Sequence, residues 1–239
     1  MEDQFDEPRR SLLDVVTEKL QKQGKTVLIS RMVYIGLVDQ KNSSHADIMA
    51  RHEELLKQSR KDGEAEHTGL LLCYPSCFVH MLECQTESIL ELLRLLCKLA
   101  PSERFFREIR IISSTEDIPS RAYPKWATSF HKAEEKPTPI EEEALVDSAS
   151  DVNLGLIKLG KQLSAMSEQD MNSAISNIAG AYLECPNVGK LQTLGAHNGV
   201  PSAEEFLDIF DTPVDIDLDS ENVWPMPVPI TYTEFASQL

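Results

Sequence analysis

The stretch TGLLLCYPSCFVHMLECQTESILELLRLL, residues 68–96, constrains the fold more than any other part of the chain. Two short runs rich in β-forming residues flank Pro75 and Ser76, a junction that suits a hairpin between antiparallel neighbours. In the second run Phe78, His80 and Leu82 point one way, and Val79, Met81 and Glu83 the other. One face therefore carries a histidine between two large apolar side chains. A helix follows at once: Ile89, Leu92, Leu93, Leu96 and Leu99 recur at helical spacing, and Pro101 closes it.

The flanking segments complete a repeating order. Residues 26–38, TVLISRMVYIGLV, are β-branched and read as a strand. HADIMARHEELLKQSRKDG then places Ile48, His52, Leu55, Leu56 and Ser59 on one helical stripe, with Gly63 as the stop. FREIRIISS reads as a further strand and WATSF as a short last one. The order β-α-β-β-α-β, with one more β, predicts an α+β domain of the split βαβ, ferredoxin-like kind over residues 26–132, with both helices on one face of an antiparallel sheet.

Outside it the organisation is looser. Residues 1–25 hold an amphipathic helix with a Ser11/Asp14 capping box and a Gly24 stop. Residues 133–150 are charged and proline-containing and read as a linker. Residues 151–186 read as a helical extension of two helices, the second opened by Ser167 and Asp170. Residues 187–239 read as an acidic, proline-containing tail with one short helix, SAEEFLDIF, capped by Ser202 and Glu205.

Charge and motif content narrow the function classes. The formal net charge is −16, and no basic residue follows Lys190. A nucleic-acid groove needs clustered Lys and Arg, and an acidic surface repels anionic lipid, so neither nucleic acid nor membrane is an expected partner. A protein with a basic surface is the electrostatic complement. The acidic N-terminus is unlike a signal peptide, and five cysteines without metal-ligand spacing fit a reducing compartment and no metal site. Phosphate-binding glycine loops and the hydrolase and zinc-protease motifs are absent, and the six histidines are scattered. Arg31 lacks the glycine-rich turn of an anion cradle. The expectation is a protein that is not an enzyme.

TGLLLCYPSCFVHMLEC, taken with YPKWATSF, resembles the BLUF domain, a flavin-binding blue-light sensor, from about Val27 to Phe130. In that family a strand tyrosine and the glutamine of an FLQVLEG motif form the light-responsive pair, and an asparagine before an ITG strand also holds the flavin. The resemblance places Tyr34 at the tyrosine, His80 at the glutamine, Asp62 near the asparagine, Trp126 at a late tryptophan, Thr128 at a late methionine and Cys84 at the glycine after Glu83. An amide that offers both donors and an acceptor cannot be replaced in that switch by an imidazole with one of each. These are degenerate flavin positions, so no cofactor is expected. TVLISRMVYIGLVD and GLLLCYPSCFVHMLEC are more closely similar to the testis-expressed protein 47 family. That resemblance implies a cytoplasmic protein of the sperm flagellum or motile cilium, a structural or adaptor subunit bound to axonemal proteins.

Partner contacts are expected from the end of the chain. Phe206 and Phe210 lie on the short capped helix, and Ile216, Leu218, Trp224, Tyr232 and Phe235 are spaced through the acidic tail, which can add to a sheet edge or lie in a groove. The competing expectation is a sensor that binds flavin or another small molecule in a remnant pocket between the two helices.

Overall fold

Every residue of one strand, Cys77–Cys84, is buried, because it sits at the centre of a sheet covered on both faces. The computed structural model describes residues 12–212 apart from 23, 25, 26, 39–43, 62, 64, 179 and 182. Its elements run α1 (Leu12–Lys22), β1 (Ser30–Val38), α2 (His45–Ser59), β2 (Thr68–Cys73), β3 (Cys77–Cys84), α3 (Thr86–Lys98), β4 (Phe106–Thr115) and β5 (Trp126–Phe130). A 3₁₀ turn (Glu142–Ala144), α4 (Leu145–Ser164), α5 (Glu168–Ser176), α6 (Val188–Ala196) and α7 (Ala203–Phe210) follow. The sheet order is β4-β1-β3-β2-β5. All neighbours are antiparallel except β2 and β5, which are parallel. This is the ferredoxin-like α+β arrangement with a fifth strand.

Alternation along the strands divides the core in two. Met32, Tyr34, Leu71, Cys73, Phe78 and Leu82 pack against Ile48, Leu55 and Leu56 of α2 and Ile89, Leu92, Leu93 and Leu96 of α3. Val33, Ile35, Leu70, Leu72, Val79 and Met81 face the other way and pack beneath α4, α5 and α6. The α2 stripe is buried at Ile48, His52, Leu55, Leu56 and Ser59, as its spacing predicts. Gly36 allows the interior of the first layer to close: a Cβ there would run into the Phe78 ring.

The extension differs from its expected form. The linker over 133–150 is cut short, because α4 begins at Leu145. Leu145, Ser148, Val152, Leu156, Leu159 and Leu163 make one buried stripe, and Glu142 and Glu143 lie at the favourable N-terminal end of the helix. The second extension helix ends at Ser176, with Asn177 leaving helical geometry. Among the described residues from 187 on there are two helices, where one was expected in the region. Asn187 caps α6, whose Val188, Leu191 and Leu194 are buried against the sheet. The α7 capping box between Ser202 and Glu205 forms as expected. Ser11 of the first capping box lies outside the described residues, as do the tail residues Ile216, Leu218, Trp224, Tyr232 and Phe235.

Candidate functional site

The register brings the positions singled out in the sequence into one row. Thr128 on β5 pairs with Leu71, Leu71 with His80, and His80 with Tyr34. His80 is fully buried. Its Nδ1 lies 2.7 Å from the Tyr34 hydroxyl, and its Nε2 accepts the indole N–H of Trp126 at 3.0 Å. An indole nitrogen only donates, so Nε2 carries no proton and the neutral ring holds its hydrogen on Nδ1. Nδ1–H therefore donates to the Tyr34 oxygen. Asp62 lies outside the described residues.

Burial fixes the charge of this node. The His80 pKa is pushed well below its ordinary value by burial, with His52 and His67 adding to the shift. Tyr34 is pushed well above its ordinary value by burial, with Cys84 and Cys73 adding to the rise. Neither group exchanges a proton near neutral pH. The node is a neutral, two-ended hydrogen-bond bridge between β5, β3 and β1.

The space between α2 and α3 is filled by side chains. His52 of α2 lies edge-on to Phe78 at 4.9 Å and to Phe105 at 5.0 Å between ring centroids, and stands 5.6 Å from His80. Its Nδ1 donates to the Ile48 carbonyl at 2.9 Å, and burial pushes its pKa down to about 4. Ile48, Leu92, Leu93 and Leu96 close the rest, each almost wholly buried. These residues do not fit a flavin held through His80: both of its nitrogens are committed, and the His52, Phe78 and Phe105 rings pack beside it.

A second polar centre, which sequence reasoning missed, lies on the opposite face of the same strand. The fully buried Glu83 carboxylate accepts from Arg31 Nε at 2.8 Å and Nη2 at 2.6 Å, from Thr68 at 3.0 Å, and from the Ala122 and Tyr123 amides at 2.9–3.3 Å. Arg121 reaches Thr68 and the Glu83 carbonyl. Arg31 sits directly across the ladder from Glu83. The usable signal was an acid within a strand that is apolar apart from His80.

Of the expected partner residues, Phe206 is buried with Ala203 against α3 and β4, so it holds α7 to its own domain. Phe210 stacks on it at 4.5 Å and is 64% exposed, beside Ile209 at 67%. Arg94 of α3 clamps the end of α7 through two bonds to Asp211, at 2.7 and 2.5 Å. Among the described residues, no helix is long and apolar enough to cross a membrane.

Strand order and helix placement define a BLUF-like ferredoxin fold, with Tyr34, His80 and Trp126 joined by hydrogen bonds inside it. A family model described as Testis-expressed protein 47 matches residues 28–212. The chain belongs to that family. Solved structures similar to it include a bacterial light-regulated adenylyl cyclase and BLUF proteins. A bacterial light-regulated adenylyl cyclase is 20% identical with a TM-score of 0.36, over 62% of this chain and 39% of that one. The BlrP1 BLUF domain is 14% identical with a TM-score of 0.34, over 65% and 90%. BlrB, a BLUF protein in its dark state, is 21% identical with a TM-score of 0.30, over 64% and 96%.

Proposed function

We propose that the protein is a non-enzymatic structural or adaptor subunit of the sperm flagellum or motile cilium axoneme. In this role the domain is a scaffold, and its acidic C-terminal segment engages partner proteins with basic surfaces. The observation that carries the reading is the commitment of both His80 nitrogens inside a packed core, which leaves the row of family positions a structural task. Membership of a family named for expression in testis supports the setting. The Ile209 and Phe210 pair supports the direction of docking, since α7 is clamped to α3 while these two side chains face solvent at the start of the tail.

The test is a crosslinking map of the tagged full chain in isolated, detergent-demembranated sperm axonemes. The reading expects the chain to stay with the axoneme and to crosslink reproducibly to its proteins through residues after Phe210. Truncation after Thr212 should abolish those crosslinks and leave the domain folded. Quantitative release of the chain with the detergent-soluble fraction would overturn the reading.

A further inference from the structure

A cavity of about 220 Å³ opens beside the outer edge of the sheet. One wall is Ile111, Ile112 and Ser113 of β4, and the other is Val146, Ala149, Ser150 and Asn153, one face of α4. Gly199, Val200 and Pro201 close one end. β4 is the terminal strand of the sheet. Its outer edge is covered only in part: the Ile111 amide donates to the Pro201 carbonyl at 2.9 Å, and Arg110 forms an isolated antiparallel bridge with Ser202. Among the described residues no further segment pairs with the outer edge beyond that point, over Ser113 to Thr115. An uncovered strand edge is a template for another extended chain.

The lining has a definite chemistry. Val146 is 75% exposed at the rim, the largest exposure among the large apolar side chains described. The Asn153 side-chain oxygen is buried beneath the lining, with no hydrogen-bond partner among the described residues. The cavity is lined by no charged residue, and the exposed charges next to it in the chain are acidic: Glu142, Glu143 and Asp147 on the α4 side, Glu116 and Asp117 past the end of β4. Arg110 is engaged by Glu108 and by the Val200 carbonyl, at 2.8 Å in the second case. The volume falls below the ~300–1,000 Å³ of small-molecule sites, so it suits a side chain or two.

We propose that this groove receives an extended, basic segment of a partner protein. The segment adds as a strand along β4 at Ser113–Thr115 and seats one apolar side chain between Ile112 and Val146. The exposed acids that flank the lining segments in the chain favour a cationic segment over this chain's own tail, which carries Asp215, Asp217 and Asp219 and no basic residue. The inference deepens the adaptor reading by naming the chemistry of a partner, and its binding assay needs no axoneme.

The assay uses the purified full chain and two labelled twelve-residue probe peptides, one alternating Lys with Val and Ile, the other alternating Glu with the same apolar residues. The basic probe should bind, weaken as salt is raised, and shift backbone NMR signals at Ile111–Thr115 and Val146–Asn153. Val146→Lys should weaken it about tenfold, as loss of an apolar anchor contact does, while Val15→Lys on α1, the same change at another exposed site, leaves it unaltered. Equal binding of both probes, shifts confined to other surfaces, or indifference to Val146→Lys would overturn the proposal. So would shifts of the groove signals on truncation after Thr212 alone, which would make the tail the occupant. If the chain leaves the demembranated axoneme but the groove binds the basic probe, the axonemal reading fails and this one stands.

Discussion

His80 and Glu83 lie three residues apart on one buried strand and face opposite layers, yet they solve burial in different ways. Glu83 is a carboxylate held by a guanidinium, a hydroxyl and two amides, so its environment is a set of donors aimed at one acceptor. His80 is a neutral ring with one donor and one acceptor, each used once, toward Tyr34 and Trp126. The first arrangement ties the segment between β4 and β5 to the sheet. The second spans β5 to β1 and closes the layer beneath α2 and α3. Charge is tolerated in the core where many donors converge, and neutrality is enforced where only two partners are within reach.

The sharpest way to break that contrast is to remove each centre in turn. Glu83→Ala should cost about 3–5 kcal/mol in denaturant unfolding, since it strands Arg31 and two buried amides without a counterpart. His80→Ala should cost less, about 2–4 kcal/mol, from a cavity plus the orphaned Trp126 N–H. Should the two costs come out in reverse order, the comparison fails.

Acid should separate the centres as well. Both buried imidazoles have folded-state pKa values below the ordinary one, His52 at about 4. The unfolded chain therefore takes up protons that the folded chain refuses. Stability should hold above about pH 6.5 and fall as the pH drops toward 4, by up to ~1.4 kcal/mol per pH unit for each ring. His52→Phe, which keeps an aromatic ring, should flatten that slope by about one proton in pH-dependent thermal unfolding. The smallest effect expected is that of Trp126→Phe, which keeps a ring but leaves Nε2 without its donor, at about 1–2 kcal/mol.

Much of this layer was legible in advance. The α2 stripe and the facing of Phe78, His80 and Leu82 follow from local periodicity, and WATSF forms β5 over Trp126–Phe130 as read. The opposite layer was not legible, because the pairing of a sheet face with α4 and α6 is set by contacts distant in sequence. In α6, Gly189 and Gly195 mask a stripe of only three apolar residues, and its one clear signal was the Asn187 cap. At α7 the apolar face was read correctly, but periodicity cannot tell a face that meets its own domain from one that meets a partner. Phe206 took the first course and Phe210 stayed exposed.

The claim at the centre is that the row from Trp126 through His80 to Tyr34 is packing. The most direct measurement is titration of the purified full chain with flavin mononucleotide and flavin adenine dinucleotide, followed by gel filtration and visible absorbance. The account predicts a colourless protein that elutes free of either flavin. A stoichiometric yellow complex would contradict it.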